Sequence, residues 1–151
     1  MSPTLEFLFE IRCVLNTPLE LGACPGGLRR AIEISSGDFE GPRIRGTVLP
    51  GGADWQIVRS DGVVELQAHY ILRTDDGVHI QVRNRGLRRA AEAVVKRIAA
   101  GESVDPSEYY FRTTPVFEAP EGAYAWLNQS VFVATGARFS NAVTLRFFRV
   151  A

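Results

Sequence analysis

Residues 55–84, WQIVRSDGVVELQAHYILRTDDGVHIQVRN, decide the fold. Two Asp-Gly pairs, Asp61-Gly62 and Asp76-Gly77, punctuate three apolar-polar segments. Asp-Gly between alternating segments is a strong hairpin signal, because glycine takes the positive φ that tight turns need. In the central segment Val64, Leu66, Ala68, Tyr70 and Leu72 fall on one side, and Glu65, Gln67 and His69 on the other. Period two is the signature of a strand. The stretch therefore predicts an antiparallel meander: Trp55–Arg59, Val63–Thr74 and Val78–Asn84. The side that carries Tyr70 is either solid core or the mixed lining of a lumen.

The pattern continues outward. Leu5, Phe7, Phe9, Ile11, Cys13 and Leu15 alternate with polar residues, which predicts an N-terminal strand. Thr17 to Leu28, with Pro18, Gly22, Pro25, Gly26 and Gly27, reads as loop. Arg29–Ser35 and Arg43–Leu49 read as strands, stopped by Pro50-Gly51-Gly52. LRRAAEAVVKRIAAG, from Leu87, changes the period: Leu87, Ala91, Val94, Val95 and Ile98 form one stripe, an amphipathic helix near 87–100 closed by Gly101. Three further strands are expected in EYYFRTTPVFEA, AYAWLNQSVFVATG and AVTLRFFRV, with Pro115 marking an edge or bulge. The expected architecture is mainly β, one domain over residues 1–151: a single antiparallel β-barrel of about eight or more strands, since closure removes exposed edges.

Composition narrows the partners. In 151 residues, 17 basic and 17 acidic side chains cancel, and 46% of the chain is hydrophobic. That balance steers away from nucleic acid and anionic membranes. No apolar run is long enough to span a bilayer. Glu6, Glu10 and Arg12 break the N-terminal apolar run, so no export signal is expected, and Cys13 and Cys24 are expected as reduced thiols in a cytoplasmic protein. Gly-rich phosphate loops, nucleophile elbows and zinc spacings are missing.

Several residues invite chemistry, and each also has an ordinary structural use. Asp54 beside Trp55 is a carboxyl that an indole could desolvate, which raises its pKa and suits it to proton transfer; equally it could cap the Gly-Gly turn. Glu118 stands at a strand end beside Phe117, as a second proton-transfer group or a solvated rim charge. Arg112 could hold a carboxylate or enolate by a bidentate fork, or lie on the surface. Trp126 and Asn128 could shape a pocket and donate to a carbonyl, or pack and close a turn. His69 and His79 lack a third metal ligand and read as a solvated pair. RNRGLRR reads as a solvated turn and helix start.

Three blocks in order, GTVLPGGADWQIVRSDG, ILRTDDGVHIQVRNRG and YYFRTTPVFEAPEGAYAWLNQSVFVATG, resemble a bacterial and fungal family catalogued as a domain of unknown function. That family is similar to calycin-like barrels, including allene oxide cyclase. The resemblance spans nearly the whole chain and implies a small barrel with a central cavity. It also implies that Asp54 and Glu118 are a functional carboxylate pair. The expectation is a cofactor-free enzyme of the isomerase, cyclase, hydratase or lyase type, acting by acid–base catalysis on a small apolar carbonyl or phenolic molecule. Asp54 and Glu118 would move protons, Tyr70, Arg112 and Asn128 would polarise a carbonyl or hold an enolate, and Trp55 and Trp126 would shape the pocket, with no metal. The alternatives are a barrel that binds a small molecule without turnover, and a solid barrel whose exposed strands pair into a homo-oligomer.

Overall fold

The computed structural model describes all of residues 1–151. Ten strands form one sheet: β1 (Leu5–Leu15), β2 (Leu19–Cys24), β3 (Gly27–Glu40), β4 (Arg45–Val48), β5 (Ala53–Val58), β6 (Val64–Thr74), β7 (His79–Ala90), β8 (Tyr109–Glu118), β9 (Val131–Arg138) and β10 (Ala142–Val150). All pairings are antiparallel. The path runs β1-β10-β9-β8-β7-β6, then through β4 and β5 to β3, and β3 pairs back onto β1. The sheet is thus a closed barrel of eight staves, with β4 and β5 sharing one stave.

The meander forms as its sequence predicts. β5 pairs with β6 and β6 with β7, and Gly62 (φ 86) and Gly77 (φ 87) take the left-handed turn conformation. The Asp61 carboxylate accepts from the Val63 backbone N–H at 3.1 Å, tightening the first turn. Several boundaries differ from expectation, and β3 runs on to Glu40, past the expected end at Ser35. Residues 19–24 are β2, hairpinned to β3 and prolonging the stave that β1 leaves. Leu87–Ala90 continue β7, because Val64 of β6 and Arg112 of β8 supply ladder partners that outweigh helical propensity there. The helix, α1, is confined to Glu92–Ala99. Residues 125–129 form a 3₁₀ turn before β9. Pro115 sits opposite Asn84, beyond the short ladder that joins β8 to β9. No helix is long and apolar enough to cross a membrane.

Alternation places inward side chains in two zones. At one end Phe9, Phe39, Phe117, Phe132 and Phe147 fill the barrel, with ring centroids 4.6–5.9 Å apart in tilted and edge-to-face pairs. Leu72, Ile80, Val82 and Leu127 complete that plug at almost zero exposure. At the other end the inward positions become polar. There α1 lies across the opening, with Val94 and Ile98 packed against the core and Val95 and Ile98 lining the mouth.

Candidate functional site

Polar residues reach the open half of the barrel because they occupy inward positions of strands whose other inward residues are apolar. Arg30 follows the parity of Ile32 and Ile34 on β3. Asp54 and Gln56 lie inward on β5, Tyr70 on β6, Asn84 and Arg88 on β7, Thr113 on β8 and Arg138 on β9. An inner cavity of about 50 Å³ is bounded by Asp54, Gln56, Tyr70, Asn84, Arg88, Thr113 and Arg138, and by an apolar wall of Cys13, Leu15, Ile34, Phe111 and Leu145. It has room for about three or four waters. Arg88, Arg138 and Ile32 also bound a wider hollow of about 390 Å³ at the mouth, roofed by α1.

Asp54 is the carboxylate of this lumen. Its Oδ2 accepts from Gln56 Nε2 at 2.7 Å and its Oδ1 from the Gln67 N–H at 3.0 Å. Gln56 in turn accepts from Arg30 Nε at 2.6 Å. Burial nonetheless prevails: desolvation raises the Asp54 pKa above the ordinary carboxylate value, against the opposing pull of these hydrogen bonds and of Arg88 and Arg30. Burial first, then repulsion from Arg30 and Arg138, pushes the Arg88 guanidinium down to about 10, so it is still charged at neutral pH. Arg138 is lowered for the same reasons, burial first and then Arg30. Burial also raises the Tyr70 phenol well above its usual value, leaving it a neutral hydroxyl. The buried Cys13 thiol is pushed up to about 12, which removes it as a thiolate nucleophile.

Three buried polar atoms of residues that line this cavity have no protein partner: the Tyr70 hydroxyl, Asn84 Oδ1 and Thr113 Oγ1. Tyr70, Asn84 and Thr113 are only 4%, 3% and 4% exposed. Leaving buried polar groups unpaired costs about 1–3 kcal/mol each, so these three call for a polar partner, an ordered water or a ligand group.

Of the catalytic and binding candidates named from the sequence, only Asp54 and Tyr70 meet here. Glu118 has the outward parity of β8. Its carboxylate is 72% exposed and lies 3.7 Å from Arg83 on the outer wall, so the Asp54–Glu118 pair is not assembled. Arg112 is outward for the same reason, with Nη1 donating to the Phe111 carbonyl at 2.9 Å and its guanidinium 5.2 Å from the Tyr110 ring. Trp55 alternates with Asp54 and is 53% exposed on the outer face. Trp126 packs at the plugged end under Arg43, 3.8 Å from the ring. Asn128 closes a turn, donating to the Ala119 carbonyl and accepting from its N–H, both at 2.8 Å. The RNRGLRR segment is strand, and it supplies Asn84 and Arg88 to the lumen. Because Glu118 holds only an exposed ion pair, Glu118→Gln is expected to change stability by less than about 0.5 kcal/mol in urea unfolding.

A closed antiparallel barrel, plugged by phenylalanines at one end and carrying a half-buried carboxylate among arginines at the other, defines the class: a small β-barrel with a polar lumen. The chain belongs to the family described as "Protein of unknown function (DUF3237)", whose model matches residues 3–150. It is 40% identical over 147 residues to a UPF0311 protein of Clostridium acetobutylicum, covering 97% of this chain and 93% of that one. The crystal structure of a conserved protein of unknown function from Rhodopseudomonas palustris superposes with a TM-score of 0.94 at 39% identity, covering 99% and 100% of the two chains. The fold also extends to an enzyme from Penicillium herquei, with a TM-score of 0.75 at 20% identity, covering 100% of this chain and 96% of that one. In sequence, a hydroalkoxylation enzyme of Penicillium herquei is 30% identical over 80 residues, 53% of each chain.

Proposed function

We propose that this protein is a cofactor-independent acid–base catalyst. It isomerises, cyclises or hydrates a small carbonyl or phenolic molecule in the open half of the barrel, with Asp54 moving the proton. The observation that carries this reading is the raised Asp54 carboxylate facing a cavity in which Tyr70, Asn84 and Thr113 have no protein partner. A carboxyl whose pKa is moved toward neutrality takes and returns protons under mild conditions. The Penicillium relative named for hydroalkoxylation, the addition of an O–H across a double bond, supports the same reaction class.

For a hydroxy-enone the atoms balance as follows. Asp54 takes the hydroxyl proton, and the oxygen bonds to the carbon remote from the carbonyl. The C=C π pair shifts to a new double bond with the carbonyl carbon, and the C=O π pair moves onto oxygen, giving an enolate to which the Tyr70 hydroxyl donates. Asp54 then delivers its proton to the carbon beside the carbonyl. The product is an isomer of the substrate; hydration substitutes water for the internal hydroxyl. No oxidant or reductant is consumed.

The test is a panel of hydroxy-enones and phenolic ketones offered to the wild type, Asp54→Asn and Glu118→Gln, with products read by mass spectrometry. Isomeric or hydrated product from the wild type and Glu118→Gln, lost in Asp54→Asn, supports the reading. Undiminished turnover by Asp54→Asn sinks it. Binding without product across the panel marks a barrel that holds its ligand without turnover.

A further inference from the structure

The lumen holds more positive charge than its own carboxylate neutralises. Arg30, Arg88 and Arg138 enter from three different strands, and Asp54 is the carboxylate among them. At the rim, exposed Glu20 and Arg89 offset one another. The protein's ion pairs all use other arginines or Lys96, on the outer surface. Arg30 donates to the neutral Gln56 amide, and Arg138 donates at 3.2 Å to the Ala142 carbonyl. Arg88 feels the attraction of Asp54 but also repulsion from Arg30 and Arg138, and its guanidinium lies 5.9 Å from the Phe111 ring. Guanidiniums that share one carboxylate in a partly desolvated site leave positive charge uncompensated, which is costly unless an anion joins them.

We infer that the ligand of this site is a planar organic oxyanion, a carboxylate or a delocalised phenolate, seated on Arg88 and flanked by Arg30 and Arg138. The inference rests on the lumen being the reaction site and names its substrate class. The geometry also divides the ligand. The inner cavity of about 50 Å³ accepts only a small oxygen-bearing group, beside the Tyr70 hydroxyl and Asn84. The uncharged body occupies the hollow of about 390 Å³, against Val58, Val95, Ile98 and Phe139. Together they reach the size range of small-molecule sites. A planar fork of donors suits two coplanar oxygens better than it suits a neutral amide.

Salicylate and its neutral isostere salicylamide test this by calorimetric titration. Wild type is expected to bind salicylate at least about tenfold more tightly than salicylamide. Arg88→Met should weaken salicylate by about tenfold or more, and Arg138→Gln by less. Arg85→Met, outward on the same strand, should leave it unchanged. Asp54→Asn, which removes the like charge, should bind salicylate more tightly than wild type. If Arg88→Met does not fold, the contrast between the two ligands and the Arg138→Gln result decide. Equal affinity for salicylate and salicylamide overturns the inference, as does undiminished salicylate binding in Arg88→Met, or failure of wild type to bind salicylate at millimolar concentration. The two readings fail separately. Full turnover in Asp54→Asn with salicylate still bound removes acid–base catalysis and keeps the anion site. Turnover of neutral hydroxy-enones with salicylate ignored does the reverse.

Discussion

Phe9→Ala is expected to cost about 3–5 kcal/mol of folding stability, the range for emptying a buried aromatic site. Phe9 has no exposed surface, and its ring contacts Phe147 at 4.6 Å, Phe39 at 5.2 Å and Phe117 at 5.9 Å between centroids. Those partners come from β10, β3 and β8, so one ring ties together staves on different sides of the barrel. The aromatic packing adds to the burial itself, about 0.5–1.5 kcal/mol per good pair. Total stability for a domain of this size is about 8–15 kcal/mol, so the loss is a large fraction. Urea unfolding should show a lower midpoint with an unchanged slope, and the melting temperature should fall by on the order of 10 °C. Val131→Ala, at a side chain 69% exposed, should fall within about 0.5 kcal/mol of wild type. The plug and the polar lumen occupy opposite ends, so Phe9→Ala should leave the Asp54 titration unchanged below its unfolding transition. A shift there would show that the plug also sets the geometry of the site.

The barrel was legible because its determinants are local. Two Asp-Gly turns and period-two alternation specify the meander, and neither depends on distant partners. The helix boundary was not, because Leu87–Ala90 suit either a helix or a stave, and the choice is made by partners in β6 and β8 remote in sequence. The candidate site divides in the same way. Asp54 was visible as a carboxyl in an odd local setting, though its Trp55 neighbour does not desolvate it: Trp55 points outward and the lumen desolvates Asp54. Glu118, Arg112 and Trp55 looked chemical by identity, while the alternation of their own strands directs them outside. The same alternation carries Gln56 with Asp54, Arg88 and Asn84 with Val82, Thr113 with Phe111, and Arg138 with Ala134. Polar residues on the apolar parity of a strand were the signal that could have found them. What no single strand contains is that these positions converge at one height of the barrel, which depends on how all the staves are staggered.

Asp54→Asn is expected to lower turnover by about 10²–10⁴-fold, the usual contribution of one positioned proton-transfer group. That equals about 2.7–5.5 kcal/mol of transition-state stabilisation. The local hydrogen bonds sharpen the expectation. Arg30 only donates, so its bond fixes the Gln56 carbonyl toward it and turns Gln56 Nε2 toward Asp54. The Gln67 N–H occupies the other carboxylate oxygen. Both neighbours of Asp54 are therefore donors, and asparagine has one acceptor oxygen where two are required. The variant loses the proton acceptor and misaligns its replacement, so residual activity should not rise with pH. In wild type the base form must be ionised, so activity should fall as pH drops through a value above the ordinary carboxylate pKa. Stability runs in the opposite sense. The folded state holds the Asp54 proton more tightly than the unfolded chain, so the stabilisation due to that proton is complete below the unfolded pKa and is lost as pH rises through the folded one. The stability of wild type relative to Asp54→Asn should therefore increase on acidification from neutral pH, while wild-type activity declines. Paired melting curves and rate–pH profiles of the two proteins measure both slopes. Parallel stability curves would mean that Asp54 titrates in the fold as it does in the open chain, and would leave the lumen without its proton-transfer group.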